Sequence, residues 1–460
     1  MIDRPQAIGK VPTTAWLRIL LLALLVACSS TKASGPDGFS RPNLIVVLAD
    51  DLGVEALGCY GGESYATPNL DQLAHAGVLF ENAFTQPLCT PTRVELLTGR
   101  SNARNYLSFS VLDPRERTFA HVLRDGGYRT FAIGKWQLFG ADHYGPQIQA
   151  HGSLPEDAGF EHHALWQVEQ LGLRHWEPTL TIDGLSTTFD PSAYGPDLAL
   201  EHGLRWIDEA GDDPFLMYWP MILPHDPFLA PPGSEGPRKP PGDPLHFGPT
   251  VEYMDALVGR LVEHLEQRGL AENTMILFIG DNGTSPQIIS KRAGSLIRGD
   301  KKRPTDAGSR VPFLAYAPGR WSQAKRVTDP VSTVDVFATL IDASGLQLPK
   351  DRPLDGWSLM PRLDGEVERH REWVNFHYHP RPVSRPNSKA QRWARDERWQ
   401  LFEDGRLFDT DQDPGLEQAY GETQGETQSG AQVAARARLQ RGLDSLPQPL
   451  VRETHQRTQR

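Results

Sequence analysis

The sequence predicts an α/β fold: a central, mostly parallel sheet sandwiched by helices, with a smaller C-terminal α+β subdomain. Three observations predict it. From Arg41 onward, short apolar runs alternate with helical stretches, the pattern of βαβ units. Those runs are continuous rather than alternating, as in strands buried on both faces. Beyond Ala343-Ser344-Gly345 the alternation stops and a hairpin pattern replaces it.

Taken in order, Arg4, Lys10 and Arg18 precede an apolar run, Ile19–Ala27, too short to span a bilayer as a mature helix, so residues 1–28 read as an export signal. Leu25-Val26-Ala27-Cys28 resembles a bacterial lipobox, whose cysteine is lipidated; an ordinary signal cut near Ala27 is the plain alternative. Residues 29–40 are a Ser/Thr/Gly tether. The expected product is exported, periplasmic or at the cell surface, and anchored by lipid at Cys28, on the outer membrane if the host has one.

Residues 41–345 carry the main sheet. Asn43–Leu48, Tyr128–Ile133, Pro214–Trp219, Thr274–Ile279 and Val311–Ala315 are the expected strands. Pro68–Ala76 is a helix with Thr67 before it, Pro68 at its first position and Gly77 after it. A longer helix near Thr250–Arg268 has Val251, Met254, Leu257, Val258, Leu261, Val262 and Leu265 on one stripe. Phe139–Tyr194 and Phe228–Pro249 break the pattern and read as insertions beside the scaffold. Residues 346–420 form the smaller subdomain, with a hairpin over Arg398–Asp409 turning at Asp404-Gly405. Residues 421–460 are polar and low in complexity, a disordered tail with at most a short helix near Ala434–Leu443.

Composition narrows the function. The 460 residues carry 47 basic and 58 acidic side chains, a net charge of −11, the wrong sign for a nucleic-acid surface. Three cysteines, Cys28, Cys59 and Cys89, are too few for a disulfide framework or a cysteine-rich zinc site. Cys59 reads as a buried structural thiol.

In parallel sheets ligands gather beyond the carboxyl ends of strands. There the chain offers Asp50 and Asp51, Lys135, His225, and Asp281-Asn282-Gly283. Carboxylate and amide oxygens suit a hard cation, Ca²⁺ or Mg²⁺, rather than zinc. Taken singly, each is as readily a cap or turn residue, and for Asp-Asn-Gly a turn is the common outcome. Cys89-Thr90-Pro91-Thr92-Arg93 is the most specific segment: Pro91 marks a helix start, placing Cys89 in a positive field with Arg93 one turn on.

With these residues in view, the chain resembles a type I sulfatase of the alkaline-phosphatase-like superfamily, from about Arg41 to Pro414. The resemblance rests on Cys89-Thr90-Pro91-Thr92-Arg93, Ala49-Asp50-Asp51-Leu52-Gly53, Gly134-Lys135-Trp136, Pro224-His225, Gly280-Asp281-Asn282-Gly283 and Lys301…Gly308-Ser309-Arg310-Val311-Pro312. Leu407-Phe408-Asp409…Asp413-Pro414 adds the family's C-terminal hairpin.

What the resemblance implies is a formylglycine made from Cys89 by a formylglycine-generating enzyme. Its hydrate supplies one hydroxyl to attack sulfur and a second to release sulfate. Asp50, Asp51, Asp281 and Asn282 would hold Ca²⁺ together with the residue-89 oxygen. Lys135, His225, Lys301 and Arg93 would bind sulfate or stabilise the diol, with His225 and Lys301 candidates to protonate the leaving alcohol. Lys301 is followed by Lys302 and Arg303, so a run of three cations offers the one lysine required.

Two positions depart from the family pattern. Gln137 stands where a histidine is usual after Gly-Lys-Trp, and Asp306-Ala307-Gly308 replaces Glu-Gly-Gly. Carbohydrate sulfates are the expected substrates, with the aromatics and histidines of Phe139–Trp176, His377 and His379 available to line a sugar pocket or to pack the insertion. Two other functions fit the same residues: phosphodiester or phosphonate monoester hydrolysis on the same metal rim, and a non-catalytic lipoprotein that binds sulfated glycans.

Overall fold

The computed structural model describes residue 1 and residues 41–383, 389–420 and 429–449. The expected signal, lipobox and tether, residues 2–40, lie outside the described residues. Among the described residues no helix is long and apolar enough to cross a membrane.

A ten-stranded sheet runs from edge to edge as Lys325–Ser332, Val78–Phe84, Phe313–Tyr316, Thr274–Gly280, Asn43–Ala49, Phe215–Pro220, Arg129–Lys135, His162–Trp166, Thr179–Ile182 and Leu185–Thr188. The five strands from Thr274–Gly280 to His162–Trp166 are mutually parallel. Along the central strand, Leu44 lies opposite Leu216 and Met275, and Val47 opposite Trp219 and Phe278. Its side chains alternate between two cores: Leu44, Val46 and Leu48 join one, Ile45, Val47 and Ala49 the other. A strand walled on both faces needs an unbroken apolar run, which is what Asn43–Ala49 supplies.

Helices Pro68–Ala76, Gly195–Ala210 and Phe247–Gln267 cover one face, and Cys89–Thr98, Phe119–Asp125 and Val334–Ala343 the other. All five expected strands and both expected helices are present, and the long helix starts three residues before Thr250. The strand expected at Val311–Ala315 is antiparallel to both neighbours. Between residues 280 and 313 the chain forms only a small hairpin and one helical turn, too little for a crossover, so it re-enters the sheet from the end it left.

Reading Phe139–Tyr194 as an insertion beside the scaffold needs correction. It holds His162–Trp166, which pairs in parallel with Arg129–Lys135, and a hairpin that extends the sheet edge. The short, His- and Thr-rich strands hid the pattern.

A separate antiparallel sheet comprises Val374–Tyr378, Gln391–Arg395, Trp399–Phe402 and Leu407–Asp409. Its aromatic face, with Phe376, Trp393 and Phe402, packs on Phe84, Leu88 and Cys89 of the main unit. The opposite face is covered by helix Gly430–Asp444 through Ala435, Leu439 and Leu443. The short helix expected near Ala434–Leu443 is present and longer, 15 residues capped by Ser429 and Gln432, and the expectation of disorder is corrected over this stretch because the helix buries an apolar stripe on the sheet. Cys59 is half-buried rather than buried, and burial pushes its thiol up to about 12.

Candidate active site

Four parallel strands end, and one buried helix begins, at a single rim. Asp50 and Asp51 follow the central strand, Asp281 and Asn282 follow the neighbouring strand, and Lys135 closes the strand Arg129–Lys135. Gly134 immediately before it has φ 103°, and a Cβ there would fall 2.1 Å from the Pro220 carbonyl oxygen, so only glycine lets these strands close up under the site. Backbone bonds lock the rim, with Asp281 N–H donating to Ala49 O at 2.9 Å and Asp50 N–H to Leu223 O at 3.0 Å.

Cys89 is the first residue of helix Cys89–Thr98, all ten residues of which are buried. The helix stops at Gly99, φ 64°, where a Cβ would meet Phe337 at 2.8 Å. One turn in from Cys89, the Arg93 guanidinium donates to Lys135 O at 3.1 Å and to Asp281 Oδ2 at 3.4 Å. Lys135 Nζ donates to Asp50 Oδ2 at 2.6 Å. Lys301 Nζ sits 2.5 and 2.7 Å from the two Asp51 oxygens, whereas Lys302 is exposed, which settles the register of that lysine run. His225 Nε2 is 3.6 Å from Asp51 Oδ2. Its Nδ1 lies 2.6 Å from both the carbonyl and a carboxylate oxygen of Asp226, so a proton on Nδ1 leaves Nε2 facing the rim.

The electrostatics follow from burial and neighbouring charges. Burial alone would raise Asp50, but Lys135, His225, Arg93 and Lys301 outweigh it and hold this carboxyl well below the usual range. Burial and the neighbouring Asp50 charge push Asp281 the other way. Asp51 and its surroundings raise Lys301 against its own burial. Burial raises the Cys89 thiol and lowers His225.

The donor set fits a hard cation. Oxygen atoms of Asp50 and Asp281 lie within 4.8 Å of each other and of Cys89 Sγ, and Asp50, Asp51 and His225 make a second such group. Asp50 Oδ1 and Asn282 Oδ1 are buried with no hydrogen-bond partner. Asn282 Nδ2 donates to Asp51 Oδ1 at 2.9 Å and to Gly283 O at 2.9 Å, which fixes which way its carbonyl points. Buried oxygens left bare among carboxylates are costly unless a cation takes them up.

Gln137 reaches the same centre. Its Oε1 is 3.6 Å from Cys89 Sγ, its Nε2 donates to Tyr144 OH at 3.4 Å, and its backbone is left-handed at φ 53°. All the residues expected at the site, Asp50, Asp51, Cys89, Arg93, Lys135, Gln137, His225, Asp281, Asn282 and Lys301, thus converge. The sequence did not reveal Arg174, Asp226 and Tyr144. Arg174 lies 4.7 Å over the Trp166 ring and 3.1 Å from His225 Nδ1, and burial lowers its pKa. No motif marks it, because the sheet edge carries it in from a weakly patterned stretch. Trp176, by contrast, packs with Tyr194 and Leu229 and donates to Ala230 O, so it serves a small apolar cluster of its own. Asp306 of the Asp306-Ala307-Gly308 variant pairs with Arg395 and Arg310, away from the rim.

The model of the family described as Sulfatase matches residues 42–346, two-thirds of the chain. The chain belongs to the sulfatase family. A second match, described as N-sulphoglucosamine sulphohydrolase, C-terminal, covers residues 299–440. Steryl-sulfatase of Mus musculus is 30% identical over 455 residues, spanning 78% of this chain and 70% of that protein. Arylsulfatase A of Homo sapiens is 32% identical over 389 residues, spanning 78% and 73%. Solved structures share the fold at lower identity. One, in complex with its substrate D-glucosamine-2-N,6-O-disulfate, has a TM-score of 0.67 at 21% identity, covering 82% of this chain and 92% of that one. The phosphonate monoester hydrolase of Agrobacterium radiobacter has 0.62 at 23%, covering 81% and 90%. This sulfatase is a sulfuric ester hydrolase of α/β architecture.

Proposed function

We propose that this sulfatase hydrolyses sulfate monoesters of carbohydrates at Cys89, converted to formylglycine by a generating enzyme, with Ca²⁺ held by Asp50, Asp51, Asp281 and Asn282. The observation that carries the reading is the meeting of Cys89, at the start of a buried helix, with three buried carboxylates and three buried cations. Three carboxylates against Arg93, Lys135 and Lys301 leave no surplus positive charge for a sulfate anion. A divalent cation held by Asp50, Asp51, Asp281 and Asn282 would restore that surplus and would supply Lewis-acid stabilisation of the anion. The formylglycine hydrate would supply the attacking hydroxyl and the means of releasing sulfate.

The protein's own groups do the rest. Arg93 and Lys135, both buried beside Asp50, would bind the anion or stabilise the diol at residue 89. Lys301 and His225 Nε2 both approach Asp51 and are the groups that would protonate the leaving alcohol, with His225 oriented by Asp226. Gln137 orients residue 89 by hydrogen bonds. The sugar preference is supported by relatives such as N-acetylgalactosamine-6-sulfatase of Canis lupus familiaris, 28% identical over 440 residues, and by the disulfated glucosamine bound in the structural neighbour. Export and a lipid anchor at Cys28 complete the proposal, placing the enzyme where extracellular glycans arrive.

The test is peptide mass at residue 89 together with paired assays on aryl sulfate, phosphonate monoester and phosphodiester. A formylglycine mass with sulfate hydrolysis dominant is expected. An unmodified thiol in fully active enzyme, or a dominant phosphonate activity, overturns it.

A further inference from the structure

Beside the catalytic centre, a cavity of about 400 Å³ opens between the Cys89 segment and the C-terminal sheet. Leu88, next to Cys89, forms one wall and Tyr378 another, and both belong to the apolar cluster that contains Cys89. The rest of the lining includes Lys302, Arg381 and Lys389 and contains no acidic residue. In a chain of net charge −11 that is an unusual concentration of positive charge. All three cations are exposed, and among the described residues none makes an ion pair, whereas most arginines of this chain do.

The position of Lys302 is built into the backbone. Its N–H donates to Pro87 O at 2.7 Å, its carbonyl accepts from Tyr378 OH at 3.3 Å, and its φ is 80°. This left-handed residue divides two consecutive lysines between two places, Lys301 at Asp51 and Lys302 at the cavity. The strained conformation is one that lysine adopts only where surrounding contacts hold it.

We propose that this cavity is a subsite for a second anionic group of the substrate, a sulfate or a carboxylate on the sugar unit neighbouring the ester that is cut. The proposal rests on the sulfatase reading of the Cys89 centre. The ester's own charge is met at the catalytic rim, by Arg93, Lys135 and Lys301 together with the proposed cation, so Lys302, Arg381 and Lys389 remain for another anion. Their exposure allows a chain to continue into solvent. The preferred substrates are therefore polyanionic glycans rather than isolated monosulfates, and the C-terminal sheet acts in recognition as well as in packing behind Cys89.

Competition against hydrolysis of 4-nitrophenyl sulfate tests this. The competitors are matched disaccharides carrying one sulfate, two sulfates, or one sulfate and a uronate carboxylate. The second anion should lower Ki about tenfold, an effect that weakens with salt, as expected for exposed charges. In the double variant Arg381→Gln/Lys389→Gln the three classes should become equal while 4-nitrophenyl sulfate kinetics stay unchanged, and Arg381→Lys should keep the preference. Whether disulfated or uronate competitors gain more identifies the group bound. Equal Ki values in the native enzyme, or a preference that survives the double variant, overturn the subsite alone. Failure of the native, residue-89-modified enzyme to hydrolyse 4-nitrophenyl sulfate overturns the sulfatase reading and the subsite with it.

Discussion

The carboxylates of Asp50 and Asp281 share one guanidinium nitrogen, Arg93 Nη2, at 3.8 and 3.4 Å. Arg93 alone does not compensate both, and the burden falls on Asp281, whose carboxyl is held up by burial and by Asp50. A divalent cation removes that repulsion. Ca²⁺ should therefore raise the Tm of the native protein, and EDTA should lower both Tm and activity. In Asp281→Asn, activity should fall at least about a hundredfold. Its Tm in EDTA should match or exceed that of the native protein, and the rise with Ca²⁺ should largely vanish. Thermal melts and aryl sulfate assays with and without chelator check this; a full Ca²⁺ response in the variant would remove Asp281 from the metal set.

His225 is presented to the rim by Asp226, which accepts from Nδ1 with both its carbonyl and its carboxylate. The His225 contact holds the Asp226 carboxyl below the usual range. Asp226→Ala keeps the carbonyl but frees the ring, so kcat for a poor leaving group should fall about ten- to a hundredfold. An activated leaving group such as 4-nitrophenol needs less protonation and should suffer less. Equal losses for both would mean that Asp226 does not act through the leaving group's proton.

How much of this was legible in the sequence depends on where each residue sits along a strand. Asp50, Lys135 and Asp281 follow apolar runs long enough to mark strand ends, and the parallel-sheet rule then brings them together. His162–Trp166 carries two histidines and so gives no strand signal, although Trp166 supports Arg174 at the site. The tail helix was legible only as a short segment near Ala434–Leu443, and its docking on the sheet was hidden for another reason. Its apolar stripe consists of Ala435, Leu439 and Leu443 within a run of arginines and glutamines, and it becomes meaningful only against Ala394 and Leu401. Lys301 and Lys302 are indistinguishable as letters; the left-handed turn at Lys302 separates them.

Glu95 gives the fold a pH dependence. On the buried catalytic helix, its Oε1 accepts from Gln86 Nε2 at 2.8 Å and Asn102 N at 3.1 Å, while Oε2 is buried without a partner. Burial pushes its pKa from 4.5 to about 8. The folded state thus holds a proton that the unfolded chain gives up near 4.5. This contribution is fully present below about pH 4.5 and is lost as pH rises towards 8. Glu95→Gln keeps the Oε1 contacts and removes the titration. It should match the native protein near pH 5 and exceed it by about 2–4 kcal/mol near pH 8. Denaturant melts at the two pH values check the difference; parallel curves would show Glu95 charged in the folded state.

Gln137 sets the last expectation. Its Oε1 stands 3.6 Å from Cys89 Sγ, and Tyr144 OH accepts from both Gln137 and Gln167, so the amide is held against residue 89 with its carbonyl inward. An amide orients a hydroxyl there but takes no proton at neutral pH. The base for sulfate release must then be another group, and His225, a carboxylate of the proposed metal set and water are the candidates. Release of sulfate should therefore limit turnover, giving a burst of alcohol followed by a slower steady rate. Gln137→His puts a titratable nitrogen at this position, and Tyr144 remains able to accept from or donate to it. The steady rate should hold or rise about two- to tenfold, with the burst amplitude reduced. Absence of a burst in the native enzyme, together with a large loss in Gln137→His, would show instead that the glutamine binds substrate and that release is not the slow step.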